Sequence, residues 1–176
     1  MEFEKVIDAC QPAREFDAEK LTDAQIEGIV KAGQAAPIVE SLQELFHISA
    51  IRSERAEKYL KEADKLTRVM QEELKNGGPV YFVISVKETG QSKEAVFLYA
   101  GMIMAHMQLQ ATNTLLGFNF SSEQKNVQLL GTEAHKKFLG MPTNYHPIQI
   151  LKVGYTPEAI NLRKPLLSEV FTRIIS

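Results

Sequence analysis

The sequence predicts an α+β fold, and three observations carry that expectation. Helical periodicity dominates the first third of the chain, strand-like runs follow between helices of unequal length, and one helix is apolar around nearly its whole circumference. A regular doubly wound fold would space its helices more evenly. No internal repeat or low-complexity segment interrupts this order.

Met1 to Cys10 places Phe3, Val6, Ile7 and Cys10 at helical spacing, and Pro12 ends that helix while biasing Gln11 away from the α region. Thr22-Asp23-Ala24-Gln25 has the form of a capping box and opens a helix from about Asp23 to Ala35, with Ile26, Ile29, Val30 and Gly33 on one face and Pro37 after it. The stretch PIVESLQE reads as a loop. LFHISAIR then alternates as a strand, and Ser53 caps a charged helix reaching about Lys75, stopped by Asn76-Gly77-Gly78-Pro79.

Val80 to Val86 is β-branched and aromatic on both faces, the pattern of a strand covered on two sides. Glu94 opens the apolar helix, which is expected to run to Gly117 and feed the short strand FNFSS. From Ala95 to Met107 its apolar run is about a dozen residues, short of the roughly 18 to 20 that a bilayer demands. It is therefore expected to be enclosed by protein. A weaker helical stretch, Lys125 to Leu130, precedes a helix from Thr132 to Leu139 that GMP stops; HPIQILKVGY is a further strand, and Leu166 to Ile175 a terminal amphipathic helix.

A chain of 176 residues with 44% hydrophobic and 24% charged content suits one domain, 1–176, with a substantial core. Its net charge of −2 gives no electrostatic reason to expect nucleic acid or an anionic membrane as partner. One cysteine, Cys10, excludes an internal disulfide, and the start MEFEKVIDAC lacks the basic and apolar segments of a signal peptide, so a cytoplasmic location is expected.

Spacing alone yields no catalytic signature: GxGxxG, the P-loop, HExxH, CxxC and GxSxG are all absent. His47, His106, His135 and His146 are isolated from one another and from paired acids, so no metal site is expected. His106 reads as a hydrogen-bonded core histidine. Cys10 reads as an inert buried thiol before a nucleophile, since no partner base is visible in sequence.

The order of segments, however, resembles the nitroreductase family of FMN-dependent oxidoreductases over nearly the whole chain. Ala13-Arg14-Glu15-Phe16 resembles the family's Arg-x-Ser-x-Arg-x-Phe segment, and Ala36-Pro37 its Ala-Pro-Ser turn. Ser41-Leu42-Gln43 falls where the family has Asn-x-Gln-Pro-Trp. Leu115-Leu116-Gly117-Phe118 stands where its long buried helix ends in Leu-Gly-Leu-Gly. Phe138 to Pro142, the strand closing on Gly154-Tyr155, and Arg163-Lys164-Pro165-Leu166 resemble its C-terminal third.

The resemblance implies a sandwich of a mixed or antiparallel central sheet flanked by helices, with a long buried central helix. It also implies a homodimer with FMN in two interfacial clefts, NAD(P)H as hydride donor, and a quinone, nitroaromatic or flavin acceptor served by a ping-pong cycle. Carried over residue by residue, Arg14 and Arg163 would bind the phosphate, since a guanidinium fork matches its geometry, with Lys164 as alternate and Pro12 beside them. Pro37, Ile38, Val39 and Ser41 would approach the flavin of the partner chain. Ser122, Glu123 and Gln124 would bring peptide groups toward its ring nitrogens, and the partner would bury part of the central helix, including Met102 or His106.

This chain also departs from the family. Cys10 and Pro12 stand where the first arginine and the serine are, Ile38 replaces the serine after Ala-Pro, Ser41 replaces asparagine, Glu44-Leu45 replaces Pro-Trp, and Tyr99 and His106 replace aspartate and asparagine. Charge-assisted hydrogen bonds contribute roughly 1.5 to 3 kcal/mol each, so these losses imply weaker FMN binding. An alternative follows: a protein of the same fold that binds a flavin or another planar ligand with little or no catalysis. A flavin enzyme that does not use nicotinamide is a third reading.

Overall fold

The computed structural model describes residues 1–52, 78–88, 90–121, 131–165 and 173. The expected helices from Ser53 to Lys75, Lys125 to Leu130 and, apart from Arg173, Leu166 to Ile175 lie outside the described residues.

Strands β1 (Phe46–Ile51), β2 (Val80–Lys87), β3 (Gly117–Ser121) and β4 (Tyr145–Gly154) form a four-stranded sheet in the order β1-β2-β4-β3. Every pairing is antiparallel. Central β2 has Tyr81, Phe82, Val83 and Ile84 fully buried, as its two-sided apolar pattern predicts. Pro147 is tolerated beside it because the register slips between Ile84 and Ser85: Gln149 pairs with Ile84 and Pro147 with Ser85, leaving Ile148 as a bulge.

Among the described residues the helices are α1 (Phe3–Ala9), α2 (Asp23–Gln34), the single turn α3 (Glu40–Gln43), α4 (Lys93–Asn113) and α5 (Glu133–Leu139), followed by a 3-10 turn at Ile160–Leu162. In α1 only Val6 and Ala9 face inward, while Phe3 and Ile7 are exposed. The expected stripe of Phe3, Val6, Ile7 and Cys10 is therefore only half right, because so short a helix presents a narrow line to the core. The capping box of α2 forms as expected, with the Thr22 hydroxyl accepting from the Gln25 amide at 3.3 Å and Gln25 Oε1 accepting from the Thr22 amide at 2.8 Å. The segment expected to be an unbroken loop at PIVESLQE contains α3.

Helix α4, 21 residues long, starts at Ser92, whose hydroxyl accepts from the Ala95 amide at 3.2 Å. It ends before the expected Gly117. Leu115 takes the left-handed conformation at φ 61°, and its amide bonds Thr112 O at 3.0 Å while the Leu116 amide bonds Ala111 O at 2.9 Å. That is a Schellman ending with leucine where glycine is usual. Gly117 instead begins β3, because a Cβ there would lie 2.9 Å from both Ala13 Cβ and Thr156 Cγ2.

The core lies between the sheet and the α2–α4 pair, with Ile29, Phe82, Ile84, Ile103, Met107, Leu151 and Val153 at its centre. Within one chain α4 is covered on one side only: Ala100, Ile103, Met107 and Ala111 are buried, whereas Phe97 is 50% and Leu98 63% exposed. Met102 and His106 are half-buried. The buried histidine is His135, whose Nδ1 meets the Thr132 hydroxyl, and not His106. No helix among the described residues is long and apolar enough to cross a membrane.

Candidate functional site

Two clusters of chemistry-bearing residues sit at different places along α4. The first is built on the segment after α1, which Pro12 keeps out of a helix. Its backbone is pinned to β3, with the Ala13 amide donating to Phe118 O at 2.7 Å and Asn119 Nδ2 donating to Ala13 O at 2.8 Å. Gly117 permits this close approach.

That pinning aims the Arg14 amide at Glu158, whose Oε1 accepts it at 2.8 Å. The other carboxylate oxygen, Oε2, accepts from Arg163 Nη2 at 2.7 Å. Arg163 is held from behind by Gln11 O, which accepts from its Nη1, and Gln11 Nε2 of the side chain donates in turn to Lys164 O and, at 2.9 Å, to Asp8 O. Arg163 is 10% exposed and Glu158 36% exposed in their side chains. The Arg14 amide bond, and then Arg163, hold the Glu158 carboxyl below the usual carboxylate range against the opposing effect of its burial. Together these donors form an oxyanion cradle, and a carboxylate of the chain itself occupies it.

Cys10 adjoins this cradle. Burial pushes its thiol up, only partly offset by a hydrogen bond from Thr112 and by the Arg163 charge. It is thus a protonated, weakly nucleophilic thiol at neutral pH, in keeping with the inert reading.

The second cluster surrounds a cavity of about 540 Å³ bordered by Val30 and Gln34 of α2, Ile38 just before α3, Gln43 of α3, Phe46 and His47 of β1, and Ile103 of α4. A volume of this size accommodates a cofactor or substrate ring. The Ile38 amide donates to Ala36 O at 2.7 Å and the Leu42 amide to Val39 O at 2.8 Å, which set the turn. His47 stands edge-on to Tyr145 with ring centroids 5.9 Å apart, and burial lowers its pKa, so it is neutral at neutral pH.

The sequence-derived candidates divide between these places. Pro12, Arg14, Arg163 and Lys164 come together at the cradle, although it is the amide of Arg14, and not its exposed guanidinium, that bonds Glu158. Pro37, Ile38, Val39 and Ser41 form the other group; Ile38 borders the cavity, while Pro37, Val39 and Ser41 are exposed beside it. Ile103 of the cavity and Thr112 next to Cys10 lie about 13.5 Å apart along α4 at about 1.5 Å per residue. Ser122, Glu123 and Gln124 lie outside the described residues. Sequence reasoning missed Glu158, Phe46 and His47. A lone acidic residue after Pro157 carries no local signal, and His47 in a strand looked like any isolated histidine.

An oxyanion fits the cradle's donor set, since a bidentate carboxylate already satisfies it. The fold that carries the cradle is shared with solved structures of nitroreductases. The chain is similar to a nitroreductase with bound FMN from Bacteroides fragilis, with TM-score 0.73 and 16% identity over 100% of both chains. It is similar to a nitroreductase with bound FMN from Desulfitobacterium hafniense, with TM-score 0.72 and 18% identity over 99% of both. It also resembles the NADPH:FMN oxidoreductase from Vibrio harveyi complexed with NAD+, with TM-score 0.65 and 16% identity over 98% of this chain and 79% of that one. At such identities the likeness establishes the fold, an α+β framework of nitroreductase type. Among curated proteins no sequence matches. The model of the Nitroreductase family matches residues 12–155, and the chain belongs to that family.

Proposed function

We propose that this chain is an FMN-dependent oxidoreductase that takes hydride from NAD(P)H and passes it to a quinone, nitroaromatic or flavin acceptor in a ping-pong cycle. The observation that carries this reading is the family match over residues 12–155. Bound FMN supplies reversible hydride acceptance, and the chain's own residues bind and orient it. Arg163, locked by Gln11 O, and the Arg14 amide hold the phosphate; Lys164 and the Arg14 guanidinium add charge at the rim. Pro12 keeps the Arg14 segment extended. Pro37, Ile38, Val39 and Ser41 face the flavin of a second chain, and backbone groups at Ser122, Glu123 and Gln124 reach its ring.

A homodimer accounts for the apolar side of α4 that a single chain leaves bare at Phe97 and Leu98. The working location is the cytoplasm, and the acceptor is a small molecule that enters the same cleft. The test is a visible absorption spectrum of the purified protein, followed by titration with FMN and assay of NAD(P)H oxidation. A colourless protein that does not quench flavin fluorescence sinks the proposal.

A second reading is favoured by a specific observation: Glu158 occupies the anion cradle, and Cys10, Pro12, Ile38 and Ser41 replace family contacts. In that reading the chain binds a flavin or similar planar ligand with little turnover. Steady NAD(P)H oxidation with bound FMN eliminates it.

A further inference from the structure

We infer that Glu158 sets the ligand specificity of the cradle, acting as an intramolecular stand-in for phosphate that an incoming phosphate monoester must displace. This rests on the flavin reading for the identity of the ligand, but the competition itself is a property of the cradle. Both carboxylate oxygens are engaged: Oε1 takes the Arg14 amide at 2.8 Å and Oε2 takes Arg163 Nη2 at 2.7 Å. Those are the donors that a phosphate would need. With Glu158 in place, a dianionic phosphate meets a carboxylate at the cradle's mouth, and like charges at that distance repel.

The two partners are unequally fixed. Arg163 is 10% exposed and anchored by Gln11 O, whereas Glu158 is 36% exposed on the connection between β4 and the 3-10 turn. Its backbone amide bonds Thr156 Oγ1 at 3.3 Å, so the turn is held independently of the carboxylate's own bonds. The carboxylate is therefore the element that leaves, and the guanidinium stays as a preformed donor. The consequence is discrimination: a flavin without phosphate does not have to evict Glu158, and FMN does. The charged groups acting on the Glu158 carboxylate are Arg14 and Arg163.

The test compares the wild type, Glu158→Gln and Glu158→Ala. Riboflavin and FMN are titrated by flavin fluorescence, and inorganic phosphate by thermal shift against chloride at equal ionic strength. Both variants are expected to bind FMN roughly tenfold more tightly than the wild type, with riboflavin changed by less than about twofold. Phosphate is expected to raise the Tm of the variants and not that of the wild type. Equal FMN affinity in the wild type and Glu158→Gln overturns the inference, as does an equal gain for riboflavin. If neither flavin binds any form while phosphate stabilises only the variants, the flavin reading falls and the competition stands. If phosphate also stabilises none of them, both fall. Glu158→Gln keeps an acceptor for Arg163, so it answers the question even if Glu158→Ala unfolds.

Discussion

A Cβ added to Gly33 would lie 2.9 Å from Met107 Cγ, so α2 and α4 touch at a spacing that only glycine allows. Met107 is fully buried, and Ile48 Cδ1 lies 3.0 Å from the same point, so both side chains would have to shift to admit a methyl. Gly33→Ala is expected to destabilise the fold by about 1–3 kcal/mol through overpacking, despite alanine's better helix propensity. Chemical denaturation checks this; an unchanged or higher midpoint would mean that the helices part at little cost.

Leu115 holds the left-handed conformation that closes α4, at φ 61°, and its side chain is half exposed. A non-glycine residue there costs about 1–2 kcal/mol. Leu115→Gly is expected to recover about 1 kcal/mol and raise Tm, read by thermal unfolding at fixed protein concentration. A fall in Tm would show that the Leu115 side chain makes a contact worth more than the strain.

Arg163→Ala removes the anchored guanidinium of the cradle. FMN affinity is expected to drop roughly tenfold or more, while riboflavin affinity changes little. Fluorescence titration of both flavins decides it, and an unaltered FMN affinity would place the phosphate elsewhere.

The Arg14 amide and Arg163 depress the Glu158 carboxyl in the folded chain. A depressed folded-state value means that the stabilisation is fully present above the ordinary glutamate range and is lost as pH falls through the folded value. The wild type should therefore lose Tm on acidification below that range more steeply than Glu158→Gln. Parallel curves for the two proteins would show that the carboxylate's bonds contribute nothing net to folding.

The bare face of α4 predicts self-association. Leu98→Glu puts a charge on that exposed apolar face and is expected to shift sedimentation from dimer toward monomer. Wild-type protein that sediments as a monomer would refute the proposed assembly.

Several elements were legible because their signals are local. The Thr22–Gln25 box, the two-sided apolar run of β2 and the αL glycine that stops α5, Gly140 at φ 64°, are each encoded within a few neighbouring residues. The family resemblance was legible too, as an order of short motifs. Motif order brought Arg14 and Arg163 to one place but could not reveal that the Arg14 amide, and not its guanidinium, points inward; that depends on Ala13 being pinned to β3.

The sequence by itself determined the α+β class, the family and most element positions among the described residues, and it singled out Arg14 and Arg163 as candidates. Only the tertiary structure decided what fills that site. Glu158 bonds the amide of Arg14, 144 positions earlier, and nothing in the spacing of either residue announces it. The same holds for the end of α4, where the close approach of Ala13 and Thr156 claimed Gly117 for β3 and left Leu115 to turn the chain. The physical reason is common to both. Capping and periodicity act over one helical turn, whereas a long-range contact is selected by packing of the whole chain, which a local pattern does not record.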